Sequence, residues 1–306
     1  MGERSNMITF IIPFCSIDKT KHLNIPSTWG ENNYFSMVST TLKVIRNIHK
    51  HNFPLEIILV DNSHNWPNIQ IPGVRVIRGW QAYHKEELIN DSKFKAHNDI
   101  TDVHKLDWQN DTMWASLGYH KAIQEAKGDY IVLQHNDFFY IDTEKAVSNL
   151  IVDLEEDDLQ YIAVDNKKIS LLTYMINQEL FDKYIDEKKF TPEFGGMLKT
   201  KKIGLADAYF FLCRKEFFDN YDVDWKYGDS NHGATIHCLE NKLNYLHLGP
   251  YYDNPSYETQ DQKDGYNTYF YDGKPFAAHL KGGFSENKLA ISEYGQSFHK
   301  GLNEHS

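Results

Sequence analysis

Two hydrophobic periods alternate along this chain, and their order predicts its architecture. Met7-Ile-Thr-Phe-Ile-Ile-Pro-Phe14 is a run of β-branched and aromatic residues. It predicts a buried first strand, with Pro13 near its end where a missing N–H does no harm. From Phe35 to His51 the apolar residues Val38, Leu42, Ile45 and Ile48 recur at helical spacing. Leu55 to Val60 is a second strand-like run that ends in Asp61-Asn62-Ser63, and Val74 to Ile77 is a third. Strand, helix, strand, loop, strand opens a parallel, right-handed α/β sheet.

Residues 79–112 break that rhythm. They are rich in Asp, Lys, His and Asn, and they predict an insertion with one short helix near Lys85 to Ile89. The helical period returns at Trp114, with Ala115, Gly118, Tyr119, Ala122, Ile123 and Ala126 on one mostly small face that can lie close to a sheet. Gly128 is placed to end that helix. The run Tyr130 to Leu133 then leads into a polar cluster, Gln134, His135, Asn136 and Asp137. Downstream the pattern predicts a surface helix from Thr143 to Leu154, a strand from Tyr161 to Val164, and a helix from Ser170 to Lys188. A loop from Phe190 to Gly204, a strand from Asp207 to Cys213 and a short helix from Lys215 follow. A helix from Ala234 to Lys242 and a strand from Asn244 to Leu248 come last, before a tail dense in Tyr, Asp, Asn and Gly.

At 306 residues the chain can bury one large α/β core or two small ones. A net charge of -11 argues against a general nucleic-acid binder, which needs a basic footprint. It leaves room for an anionic small molecule whose charge a metal neutralises. Cys15, Cys213 and Cys238 are far apart, with no CxxC pair for zinc and no disulfide framework. The apolar run at the N-terminus is too short for a signal peptide or a transmembrane span. These features predict a cytoplasmic protein without a transmembrane segment. Aromatic residues, among them 19 Tyr and 18 Phe, are plentiful enough to line a pocket, although such rings also simply fill cores.

No GxGxxG follows the first strand, and the sequence contains no GxxxxGK[ST], GxSxG or HExxH. A dinucleotide fold, a P-loop and a nucleophile elbow are thereby unsupported, which leaves a carboxylate-held cation as the route to a diphosphate. Asp61-Asn62-Ser63 and His135-Asn136-Asp137 both follow predicted strands, on the carboxyl edge where open α/β sheets bind ligands. In an extended chain His135 and Asp137 point the same way and can reach one cation. Asp and Asn also make turns without any ligand, and the sequence leaves both readings open.

Ile-Ile-Pro-Phe14, Glu-Ile-Ile-Leu-Val-Asp-Asn-Ser63 and Ala-Lys-Gly-Asp-Tyr-Ile-Val-Leu-Gln-His-Asn-Asp137 resemble, in that order, the successive blocks of family 2 glycosyltransferases of GT-A fold. The resemblance covers residues 7–250, with the insertion unmatched. Trp114-Ala-Ser-Leu-Gly118 matches the family's small-residue helix in Gly118 but lacks its usual Arg and Asn. The resemblance implies a GT-A-type, Rossmann-like mixed sheet, mostly parallel and flanked by helices, over residues 1–250. Residues 251–306 would be a C-terminal extension that closes over the active site. It also implies inverting transfer of a sugar from a nucleoside-diphosphate sugar to a hydroxyl of a glycan, lipid-linked or other acceptor.

By the same resemblance Pro13, Phe14, Asp61, Asn62, Gln134, His135 and Asn136 surround the donor, and Asp137 is a metal ligand. His135 stands where the family's DxD motif has its first Asp. Imidazole suits Mn²⁺ better than Mg²⁺, so the implied cation is Mn²⁺. His279 resembles the later histidine that completes some GT-A metal sites, and Lys281 would then meet a phosphate oxygen. Asp229 falls where the family places its general base, the group that takes the acceptor proton. Asp222, Asp224 and His232 are alternatives for that role, and Trp225, Tyr251, Tyr252 and Tyr257 are candidates for a sugar-stacking platform. Two competing readings accompany this one. The first is a non-catalytic GT-A-like carbohydrate-binding or scaffold protein. The second is a sugar nucleotidyltransferase, which needs a Gly-rich, Arg-containing loop that Cys15 to Lys21 does not supply.

Overall fold

A computed structural model describes residues 7–14, 34–61, 70–79, 111–141, 146–166, 168–170, 183, 188–191, 197–200, 204–221, 231–249 and 266–280. The first half of the chain forms β1 (Ile8–Phe14), α1 (Tyr34–Ile48), β2 (Leu55–Asp61), β3 (Arg75–Arg78), α2 (Asp111–Glu125), β4 (Tyr130–Gln134), β5 (Phe138–Tyr140) and α3 (Ala146–Glu156). The second half forms β6 (Tyr161–Asn166), β7 (Lys168–Ser170), β8 (Lys188–Thr191), β9 (Met197–Thr200), β10 (Leu205–Arg214), α4 (Phe217–Asn220), α5 (His232–Asn241), β11 (Leu246–Leu248), β12 (Tyr266–Tyr271) and β13 (Lys274–Leu280).

The main sheet has the order β11-β6-β10-β4-β1-β2-β3. Six of its strands run one way, and β10 runs against both of its neighbours. The mixed, mostly parallel, helix-flanked sheet expected from the sequence is therefore present. Its central strands read as unbroken apolar runs because both faces are covered. Ile8, Phe10, Ile12 and Phe14 of β1 join Val44, Ile45 and Ile48 of α1 and Val147, Leu150 and Leu154 of α3 in one core layer. The opposite face carries Ile11, Ile58, Val60 and Leu133, which meet Tyr119, Ala122 and Ile123 of α2 and Ala234 and Cys238 of α5. Each fully buried Val, Leu, Ile or Phe among them stabilises the fold by about 1.5–3 kcal/mol before chain entropy is counted.

Gly128 does not do what its position predicts. The helix ends at Glu125, and among the described glycines only Gly73 and Gly273 have positive φ, so Gly128 is no left-handed cap. Its role is close approach. A Cβ there would sit 2.7 Å from Met7 O, Thr9 N and Thr9 Oγ1, and the Gly128 N–H donates to Thr9 Oγ1 at 2.9 Å.

Three stretches differ from expectation. Within the predicted 190–204 loop, β9 pairs with β7 and β8 in a small antiparallel sheet. These strands are three or four residues each, too short for a hydrophobic period to show. The predicted 170–188 helix is strand at both ends, and most of its interior lies outside the described residues, as does the insertion from 80 to 110. In the tail, β12 and β13 form a hairpin around Asp272-Gly273, with φ 48° and 70°. That dipeptide is the two-residue turn signal between alternating strands. The hairpin pairs through β13 with β5, and Tyr269, Phe276 and Ala277 enter the first core layer. Tyr271 Oη donates to Asp153 Oδ2 on α3 at 2.5 Å.

Candidate functional site

The β4–β5 turn is the point on which the site is built. Gln134 is wholly buried: its amide donates to Phe138 O at 3.4 Å, and its Oε1 accepts from Tyr140 Oη at 2.6 Å. Asn136 Nδ2 donates to Thr41 Oγ1 of α1 at 3.1 Å. Both amides are thus engaged by the scaffold, and they fix the turn from inside. His135 and Asp137 remain on the carboxyl side of β4, and β13 lays His279 opposite Phe138, one residue from Asp137.

These three side chains converge. His279 Nε2 lies 3.0 Å from Asp137 Oδ1, and His135 Nδ1 lies 3.9 Å from the same oxygen. All three ligand atoms fall within 4.8 Å of one another, a spread that one cation with bonds of ~2.0–2.2 Å draws together by small rotations. The 3.0 Å approach is an ion-pair contact rather than a well-aligned hydrogen bond. Asp137 Oδ1 and His279 Nδ1 are both buried without a hydrogen-bond partner among the described residues. A buried carboxylate oxygen in that state is costly, and a cation would satisfy it. Burial by itself would raise the Asp137 pKa. The charge and close approach of His279, helped by His135, outweigh burial and hold the carboxyl below its ordinary value, so it stays ionised.

Tyr209 was not singled out from the sequence, and it touches both imidazoles. Its ring stacks on His279 with centroids 3.7 Å apart and meets His135 edge-on at 4.8 Å. A tyrosine within the apolar strand Asp207–Cys213 carries no local sign of this; only the pairing of Phe210 with Gln134 places it beside the turn.

The remaining expected residues distribute as follows. Pro13 and Phe14 end β1, paired with Val60 and Asp61. The Phe14 ring is in the core. Asp61 is buried at the end of β2, with Oδ2 3.4 Å from Arg78 Nη1. Leu133 lies opposite Ile11 and Asp61 opposite Phe14, so Asp61 and the turn share one edge of the sheet. Two strand spacings, about 10 Å, separate their strands. His232 begins α5 and is buried. Next to it, Asn231 Nδ2 donates to Asp207 O at 3.2 Å, tying that helix start to β10. Asn62, Asp222, Asp224, Trp225, Asp229, Tyr251, Tyr252, Tyr257 and Lys281 lie outside the described residues.

No protein-family model and no curated protein matches the sequence. Solved structures do match. One is the mannosyltransferase PcManGT from Pyrobaculum calidifontis in complex with GDP-Man and Mn²⁺, at 10% identity and TM-score 0.38, over 79% of this chain and 54% of that one. Mouse xyloside xylosyltransferase 1, apo form, matches at 10% identity and TM-score 0.41, over 79% of this chain and 85% of that one. CMP:2-keto-3-deoxy-manno-octonic acid synthetase complexed with CTP matches at 10% identity and TM-score 0.38, over 84% and 99%. The chain spans about half the length of the first of these. Similarity this low carries no conclusion about activity; the strand order, with β10 reversed beside the turn, speaks for the fold. The fold is a mixed, mostly parallel α/β sheet flanked by helices.

Proposed function

We propose that this GT-A-like chain is a glycosyltransferase that moves a sugar, with inversion, from a nucleoside-diphosphate sugar to an acceptor hydroxyl. One observation carries the reading. Three metal-competent side chains from two distant segments meet at the carboxyl edge of the sheet, on the same edge as the buried Asp61. Open α/β sheets place their ligands at that edge.

His135, Asp137 and His279 would hold the cation, with Mn²⁺ favoured over Mg²⁺ because two of the three donors are imidazoles. A cation there supplies positive charge against the departing diphosphate. Asp61, 3.4 Å from Arg78 Nη1, would accept hydrogen bonds from the nucleoside. Lys281, beyond β13, is the proposed phosphate contact and Asp229 the proposed base. The buried, free Cys213 and Cys238 fit a reducing compartment such as the cytoplasm. Among the described residues no helix is long and apolar enough to cross a membrane.

Thermal unfolding with a panel of nucleoside diphosphates, with and without Mn²⁺, tests the reading, because a ligand that binds only the folded state raises its apparent stability. At a hundredfold excess over Kd the gain is about 2.7 kcal/mol. The expected result is a Mn²⁺-dependent stabilisation by one nucleotide that Asp137→Ala abolishes. A chain that no nucleotide stabilises, or whose Asp137→Ala variant responds like the wild type, overturns the assignment. Stabilisation without sugar transfer or donor hydrolysis would instead favour the non-catalytic reading.

A further inference from the structure

The turn and the hairpin account for where His135 and His279 stand, but not for how the rings are oriented. A metal-binding imidazole ordinarily donates its second N–H to a carbonyl or carboxylate, which fixes the tautomer and the ring's rotation. His279 Nδ1 has no hydrogen-bond partner among the described residues. The terminal torsion of histidine is broad, and the 3.0 Å contact of Nε2 with Asp137 Oδ1 restrains only one end of the ring.

We propose that Tyr209 is the positioning residue of this site: its aromatic ring, in place of a hydrogen bond, sets the rotation of His279 and its separation from His135. The proposal rests on the cation reading given above. The Tyr209 and His279 rings are nearly parallel, at 18°, with centroids 3.7 Å apart. The His135 ring is T-shaped to the same tyrosine at 74°, and the two imidazole centroids are 5.8 Å apart. One ring therefore lies against both imidazoles of the trio. The Tyr209 carbonyl also accepts the backbone N–H of His135 at 3.2 Å, so the ring of Tyr209 meets both histidines and its backbone holds one of them.

Tyr209 is itself held by a built feature. The β10–β6 register shifts between Ala206 and Phe211, which marks an irregularity in the strand around Tyr209. Bulges of this kind re-aim a side chain and concentrate beside active sites. Asp207 Oδ1 accepts the Tyr209 N–H at 3.1 Å, and Asn231 Nδ2 in turn donates to Asp207 O at 3.2 Å. The electron-rich face of a tyrosine favours an imidazole that carries positive charge. Coordination to a cation would put such charge on His279 and would strengthen the stack.

The test is Mn²⁺ affinity of the full chain by titration calorimetry, for wild type, Asp137→Ala, Tyr209→Phe and Tyr209→Leu, with folding checked by circular dichroism. Loss of an outer partner of a metal ligand weakens binding about 10–100-fold. Tyr209→Leu, which keeps apolar bulk without a π-face, is expected to lose affinity in that range, and Tyr209→Phe to bind like the wild type. With Co²⁺ as the probe, the visible absorption bands should shift in Tyr209→Leu and stay in place in Tyr209→Phe. A folded Tyr209→Leu protein with wild-type affinity and unshifted bands overturns the positioning role. A wild type that binds neither cation, or binds them as its Asp137→Ala variant does, overturns the cation reading beneath it. The two failures are therefore told apart.

Discussion

Gln134 and Asn136 illustrate how neighbours in sequence divide their labour. Both flank His135, and the family resemblance implies that both lie at the donor. Strand geometry separates them. Gln134 is the last residue of β4 and faces the core, where its amide serves Phe138 O and Tyr140 Oη. Asn136 reaches the Thr41 hydroxyl of α1. What the two amides contribute is a rigid turn, and rigidity of the supporting shell is what keeps ligand atoms in place. Asp229 poses a residue-scale question of its own. A carboxylate that serves as general base must be ionised and within reach of the acceptor hydroxyl, and an amide of the same shape has no proton affinity to offer. Asp229→Asn is expected to bind nucleoside diphosphate like the wild type while transfer falls by roughly 10²–10⁴-fold. Calorimetry paired with a transfer assay checks this, and undiminished transfer assigns the base to another group.

Among elements, the junction from α2 to β4 and the β12–β13 hairpin decide most about the site. The junction must pass so close to β1 that Gly128 has room for no side chain. The three atoms in the way are backbone or the Thr9 hydroxyl, and that hydroxyl already accepts from Gly128 N and donates to Glu56 Oε2 at 2.8 Å. Little there can yield. Gly128→Ala is expected to destabilise the protein by about 1–3 kcal/mol, in the range of overpacking a close-packed site; urea denaturation measures it, and an unchanged midpoint refutes the close-approach account. The hairpin is anchored to the core of the fold. It is held by pairing to β5, by Phe276 in the core and by the Tyr271–Asp153 bond. His279 is consequently part of the framework. Asp272-Gly273 announced this hairpin in the sequence, but the surrounding density of Tyr, Asp and Gly masked the alternation on either side of it.

Across the whole molecule a buried polar chain joins four elements on the far side of the sheet. Thr235 Oγ1 of α5 accepts from Ala206 N of β10 at 2.8 Å and lies 2.9 Å from Tyr161 Oη of β6. Tyr161 Oη lies 3.0 Å from His247 Nε2 of β11. Every group is satisfied if Thr235 donates to Tyr161 and Tyr161 donates to an unprotonated Nε2, which requires a neutral imidazole. Burial, reinforced by the charge of His232, pushes the His247 pKa down to about 4. In the unfolded chain the value returns to about 6.5. Between those values the unfolded state binds a proton that the folded state refuses, so stability rises with pH through the window and is complete above it. At 1.36 kcal/mol per unit the full effect is about 3 kcal/mol, less whatever the half-buried ring retains of its hydration. Urea unfolding at pH 4.5 and 7.5 should show this difference in the wild type and a smaller one in His247→Phe; an equal difference in both places the pH dependence elsewhere.

The sequence by itself determined the order and type of the main elements, the covered faces of the central strands, and His135, Asp137 and His279 as candidate ligands. Apolar period and residue chemistry are local properties, and a strand buried on both faces is legible in the residues it contains. Tertiary structure alone decided that His279 lies beside Asp137, that Tyr209 faces both histidines, and that Gln134 and Asn136 belong to the scaffold. Each of those outcomes depends on which distant strand pairs with which, and in what register. A shift of one residue along β13 or β10 would turn the same side chains to the opposite face.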